Sequence, residues 1–190
     1  MKQGKTEAAR DRYIEAFITE PYNKFARAGL IQWGEATSTR LGHPDIKIPV
    51  DVSYDEKGNV NINLGASTML AGKDDGSYAW LLYGATRSEW KKEKFAKQFP
   101  GESAYRHTLA EEVDALRKVI SVVAEDKKIK NLQPTLAKLK KLNDEGLLEA
   151  YILLAQADEG IARDHPTYLK DNRDKLRLYM VKYVVTGGGN

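Results

Sequence analysis

The chain has 190 residues, 42% of them hydrophobic and 30% charged, and 30 basic against 27 acidic side chains leave a net charge of +3. That length suits one domain, or one domain with an appended element, and buries a sizeable core without metals or disulfides. The basic excess is small and scattered, which argues against nucleic acid as a partner; the lack of cysteine excludes thiol catalysis, disulfides and Cys-based zinc sites.

No run approaches the roughly 20 apolar residues that span a bilayer, so no membrane insertion is expected. The start, "MKQGKTEAAR", lacks the apolar core of a secretory signal. A complete chain is therefore expected in the cytoplasm, whereas a fragment of a longer chain leaves a periplasmic or secreted location open. The densest basic runs, Lys91 to Lys97 and Lys138 to Lys141, fit the wet sides of helices.

The first element is a helix closed by Pro21. Ala8, Ala9, Tyr13, Ala16 and Phe17 recur at steps that share one helical face, with Arg10, Asp11, Arg12, Glu15 and Thr19 on the rest. A second periodic segment follows at once, through Phe25, Ala26, Ala28, Gly29, Leu30 and Trp33. So short a link predicts an antiparallel pair.

Ala9, Tyr13, Ala16 and Pro21 resemble the second half of a tetratricopeptide (TPR) repeat, with Gly4 where the inter-helix turn of that family falls. The segment from Asn23 to about Thr37 would then open the next repeat. Leu30 suits the pattern, while Ile31 and Gly34 stand where the family prefers Gly and Tyr. The likeness covers residues 4–37. It implies helical hairpins stacked in series, with Trp33 among the binding residues of a groove for a peptide or partner protein. The hairpin then either caps on the rest of the chain or belongs to a larger array.

Between residues 46 and 64 the period changes to two. Ile46, Ile48, Val50, Val52 and Tyr54 alternate with polar residues, as do Val60, Ile62 and Leu64, and "DEKGN" supplies a turn. This predicts a β-hairpin insertion, with Pro49 marking an edge strand and a third strand conceivable around Ser67 to Leu70. The spacing of Asp51, Asp55, Asn59, Asn61 and Asn63 is not that of a calcium loop.

After a turn at "KDDG", a helix is predicted up to Phe99. It carries Trp80, Tyr83, Arg87 and Trp90 on one stripe, with Arg87 placed to stack on a Trp. Exposed, that stripe could hold a small molecule or a glycan; buried, it is core. Next, Thr108 and Glu111 form a capping box ahead of Leu109, Val113, Leu116, Ile120 and Val123. His107, Arg106 and Glu111 would be the residues of an acid–base site if the chain were an enzyme.

Helices follow from Asn131 to Gly146, from Leu147 to Ala157 and from Pro166 to Val185. The stretch from Gly146 to Leu176 is loosely similar to the tails of uncharacterised bacterial TPR proteins. Domain limits are read as a helical hairpin at 1–40, the β-hairpin insertion at 41–75, two helices at 76–128 and C-terminal hairpins at 129–190. The expected fold is mainly α, and the expected function is a non-enzymatic interaction module or scaffold. No nucleophile motif, metal cluster or Gly-rich phosphate loop is present, so no catalytic residue, metal or cofactor is expected.

Overall fold

The computed structural model describes residues 3–55, 60–65 and 75–185. The chain is mainly helical, with eight helices and one two-stranded antiparallel sheet among the described residues. It divides into two compact units: residues 1–44 with 146–190, and residues 45–145. The middle of the chain is thus one unit, and the N-terminal hairpin belongs with the C-terminal helices.

In the first unit, α1 (Gln3–Thr19) and α2 (Lys24–Ala36) pair. The Trp33 indole N–H donates to the Thr6 carbonyl at 3.3 Å, and Gly29 lies against Tyr13. These two contacts make the pair antiparallel. A Cβ on Gly29 would stand 2.8 Å from the Tyr13 ring, so the absent side chain sets the close approach. Asn23 caps α2 by accepting from the Phe25 N–H at 2.8 Å. Gly4 lies inside α1, not in a turn ahead of it.

Among the described residues five further helical segments complete this unit, in two runs and a link. Helix α6 (Leu148–Tyr151) passes into a π-helical segment (Ile152–Gln156), and α7 (Glu159–Ala162) is a single turn. Helix α8 (His165–Tyr179) ends in another π-helical segment (Met180–Val184). Ile14, Ile18, Leu148, Tyr151, Ile152, Leu176 and Tyr179 are fully buried. Arg173 and Arg177 of α8 reach Glu15 of α1, and Arg177 also reaches Asp11. Buried His165 holds the Ile18 carbonyl at 3.0 Å through Nε2, which therefore carries the proton.

In the second unit, β1 (Val50–Tyr54) pairs with β2 (Val60–Leu64) in the register Val52↔Ile62. The first strand begins four residues later than the alternation predicts. Pro49 cannot donate to a ladder, and Ile46 is buried from an irregular segment. The predicted turn at residues 56–59 and third strand at 67–70 lie outside the described residues.

Helix α3 runs from Trp80–Glu89 through a π-helical segment (Trp90–Lys94) to Phe95–Gln98, preceded by a 3-10 turn (Ser77–Ala79). Helices α4 (Leu109–Glu125) and α5 (Pro134–Asp144) follow. The hairpin lies on α3 at Gly84, where a Cβ would come within 2.6 Å of Ile62 Cγ2. Helix α3 packs on α4, whose apolar face is Leu109, Val113, Leu116, Ile120 and Val123, all buried.

Candidate functional site

The stripe on α3 faces the interior. Trp80 is 0% exposed, and Tyr83 and Trp90 are buried with it. The Trp80 indole donates to Gln133 Oε1 at 3.0 Å and the Trp90 indole to Asp114 Oδ2 at 2.7 Å. Both N–H groups are thereby satisfied inside the unit, as large amphipathic rings require when buried. Trp33 is also buried, in the other unit, and its indole is spent on Thr6. None of the three indoles offers a ring face to a ligand.

Arg87 does not stack on either Trp. Its guanidinium turns to Glu111 Oε1 at 2.9 Å and to the Tyr83 hydroxyl at 3.3 Å, with its central carbon 5.8 Å from the Tyr83 ring centroid. Glu111 is 0% exposed. It accepts from the Tyr105 hydroxyl at 2.8 and 3.0 Å on its two oxygens. Glu112, buried beside it, accepts from the Tyr83 hydroxyl at 2.8 Å and lies 3.1 Å from His107 Nε2.

This is a buried polar cluster joining α3, α4 and the segment before α4. Burial raises the Glu111 pKa above the ordinary carboxyl value, and the Arg87 and His107 charges and the Tyr105 hydrogen bond only partly offset it. Burial and the neighbouring carboxylates also hold the Tyr83 and Tyr105 hydroxyls protonated. The Thr108 hydroxyl does accept from the Glu111 N–H at 3.1 Å, so half of the capping box forms. The other half does not, because the Glu111 carboxylate is drawn into the cluster.

The three residues named for acid–base chemistry have separate partners. Arg106 forms a two-pronged pair with Glu102, His107 sits on Glu112, and Glu111 on Arg87 and Tyr105. Glu112, beside His107 in the sequence, is its partner in space as well, while nothing in the local spacing marks Tyr105. Two acids in the first turn of a helix are ordinary partners of its dipole, so only their fit to the buried face of α4 would have singled them out.

The open apolar surface is on the first hairpin. Helix α1 has two apolar sides. Ile14, Phe17 and Ile18 are buried within the unit, whereas Ala8 and Ala16 are exposed and Ala9 and Tyr13 half-buried. Phe25 of α2, 75% exposed, continues the open side. A cavity of about 630 Å³ along Ala8, Ala9, Arg12, Tyr13 and Ala16 adjoins one of about 570 Å³ that reaches Phe25 and Ala26, with Tyr13 and Ala16 lining both.

Among the described residues no group of three or more His, Asp or Glu could hold a metal, and no helix is long and apolar enough to cross a membrane. Compared with protein families, curated proteins and solved structures, the chain matches none.

Proposed function

We propose that the chain is a non-enzymatic interaction module of TPR type, which seats an apolar helix of another protein along the open side of the α1–α2 hairpin. The observation that carries this reading is the two-sidedness of α1. One side is used up by its own unit, and the other keeps small side chains beside two exposed or half-exposed rings. Small residues let a second backbone approach closely, and the rings supply anchoring area.

The open side runs from Ala8 to about Glu20, a helical length of roughly 18 Å. A partner segment of about a dozen helical residues matches it. The alternative reading, a small molecule or glycan held by Trp80, Tyr83, Arg87 and Trp90, draws no support from their burial.

The test uses the full chain with a photo-crosslinking residue at position 9 as bait. The wild-type surface should capture a partner that Ala16→Arg and Phe25→Ser both lose, with unchanged melting temperatures. Retention of the same partner by both variants refutes the groove. Crosslinks only between copies of this chain replace the partner protein with a homodimer.

A further inference from the structure

A second concavity lies on the first unit, around the link between α1 and α2. It encloses about 460 Å³, and its walls divide by chemistry. Phe17, Pro21, Leu153, Leu154 and Ala155 form an apolar floor. Tyr22, Asn23, Lys24, Arg27 and His43 add polar side chains to the lining.

The helical run ends at Gln156, so the Leu153 carbonyl lies in its last turn, where carbonyls have no partner within the helix. The Tyr22 hydroxyl donates to that carbonyl at 2.8 Å and so closes one side.

The charges are asymmetric. Among the described residues no carboxylate lines the cavity. Glu20, the acid nearest in sequence, accepts from the Asn23 amide at 3.1 Å, and Asp158 caps α7 through the Ile161 N–H at 2.9 Å. Asp158 and Asp164 act on Tyr22, whose hydroxyl burial and these two charges push up to about 12. Arg27 has no carboxylate within ion-pair distance among the described residues, and Lys24 lies 5.1 Å from the Phe25 ring centroid.

His43 Nδ1 is 2.8 Å from the Tyr179 hydroxyl, and the two rings stack at 5.8 Å. Burial and the Arg27 charge hold its pKa down at about 4, so the ring is neutral near pH 7. The buried Tyr179 hydroxyl, kept protonated, donates to Nδ1, and that leaves the proton on Nε2.

We infer that this cavity binds a small organic carboxylate, its apolar body on the Phe17, Leu154 and Ala155 floor and its carboxylate on Arg27, with Lys24 and His43 Nε2–H in reach. A guanidinium offers a paired fork matched to a carboxylate. The volume falls in the range of small-ligand pockets, which combine an apolar lining with a few polar groups. The site shares only Asn23 with the α1–α2 groove and does not rest on that reading.

The test is titration of the full chain with benzoate, its neutral counterpart benzamide and inorganic phosphate, followed by calorimetry and by backbone and imidazole NMR shifts. Benzoate should saturate, shift the His43 ring resonances and bind about tenfold or more tighter than benzamide. Arg27→Gln should lose about tenfold in benzoate affinity with an unchanged melting temperature. Ala155→Leu, which fills the floor without touching the cations, should weaken benzoate and leave Arg27 in place. Equal binding of benzoate and benzamide overturns the proposal, as does an unaffected Arg27→Gln. Phosphate competing as strongly as benzoate overturns it too, since the apolar floor would then have no role.

Discussion

Replacing Arg87 by Met removes the cation from the buried cluster and keeps the length of the side chain. Glu111 is then left with the Tyr105 hydroxyl as its only neutralising neighbour besides His107, at 0% exposure. A buried carboxylate without its cation takes up a proton rather than stay charged. Proton uptake at pH 7 opposes folding, and removing one partner of a buried ion pair costs ~3–5 kcal/mol.

The cost is pH-dependent with a definite sign. Burial already raises the Glu111 pKa in the parent against the pull of Arg87; without Arg87 it rises further, so the folded variant takes up a proton that the paired carboxylate does without. The stabilisation from that proton is complete below about pH 4.5 and is lost as the pH rises through the folded value. Arg87→Met should therefore cost about 3 kcal/mol at pH 7 and distinctly less at pH 5. The double variant with Glu111→Gln needs no proton and should return to within about 1 kcal/mol of the parent at pH 7. Urea unfolding followed by tryptophan emission in a Trp33→Phe background reports Trp80 and Trp90 of the same unit. A loss under about 1 kcal/mol at pH 7, or one that is equal at pH 5 and pH 7, would refute the assignment of a buried, charge-paired Glu111.

Gly84→Ala should destabilise by about 1–3 kcal/mol in urea unfolding, because its Cβ overlaps Ile62 Cγ2 at 2.6 Å; pairing it with Ile62→Val should recover part of that loss. Trp90→Ala should lower stability by about 3–5 kcal/mol, since a buried ring and the Asp114 hydrogen bond both go, and a melting temperature within a degree or two of the parent would contradict its place in the core. NMR titration of His43 should give a midpoint near 4, against 6.5 for an unburied imidazole. Because the folded value is the lower one, the stability linked to this ring is present above about pH 6.5 and falls away toward pH 4.

The helical elements were legible because their apolar spacing is long and regular. Leu109 to Val123 gave α4, whereas the next helix, read from Asn131, begins at Pro134, whose fixed φ suits a first turn. The first strand was read too long because alternation continues through Ile46 and Ile48, and periodicity cannot register that Pro49 lacks an N–H. The face of α1 was misjudged for a related reason. The alanines and Tyr13 make one stripe, Ile14 and Ile18 a second, and only the packing of α8 shows which is spent within the unit. The stripe on α3 was seen, but Arg87 was matched to a Trp when its partner is 24 residues away on another helix. The cavity at Arg27 and His43 left no trace in local spacing, because half of its floor, Leu153 to Ala155, comes from more than a hundred positions further along the chain.

The first unit is interrupted by the second, and this fixes an order of events during synthesis. Helix α1 leaves the ribosome early, while the helices that cover Ile14 and Ile18 follow only after the roughly hundred residues from Asp45 to Glu145. At about 5–20 residues per second that is a wait of roughly 5–20 s. For that interval both sides of α1 are bare, so the nascent hairpin is a natural client for a chaperone until its own C-terminal helices arrive.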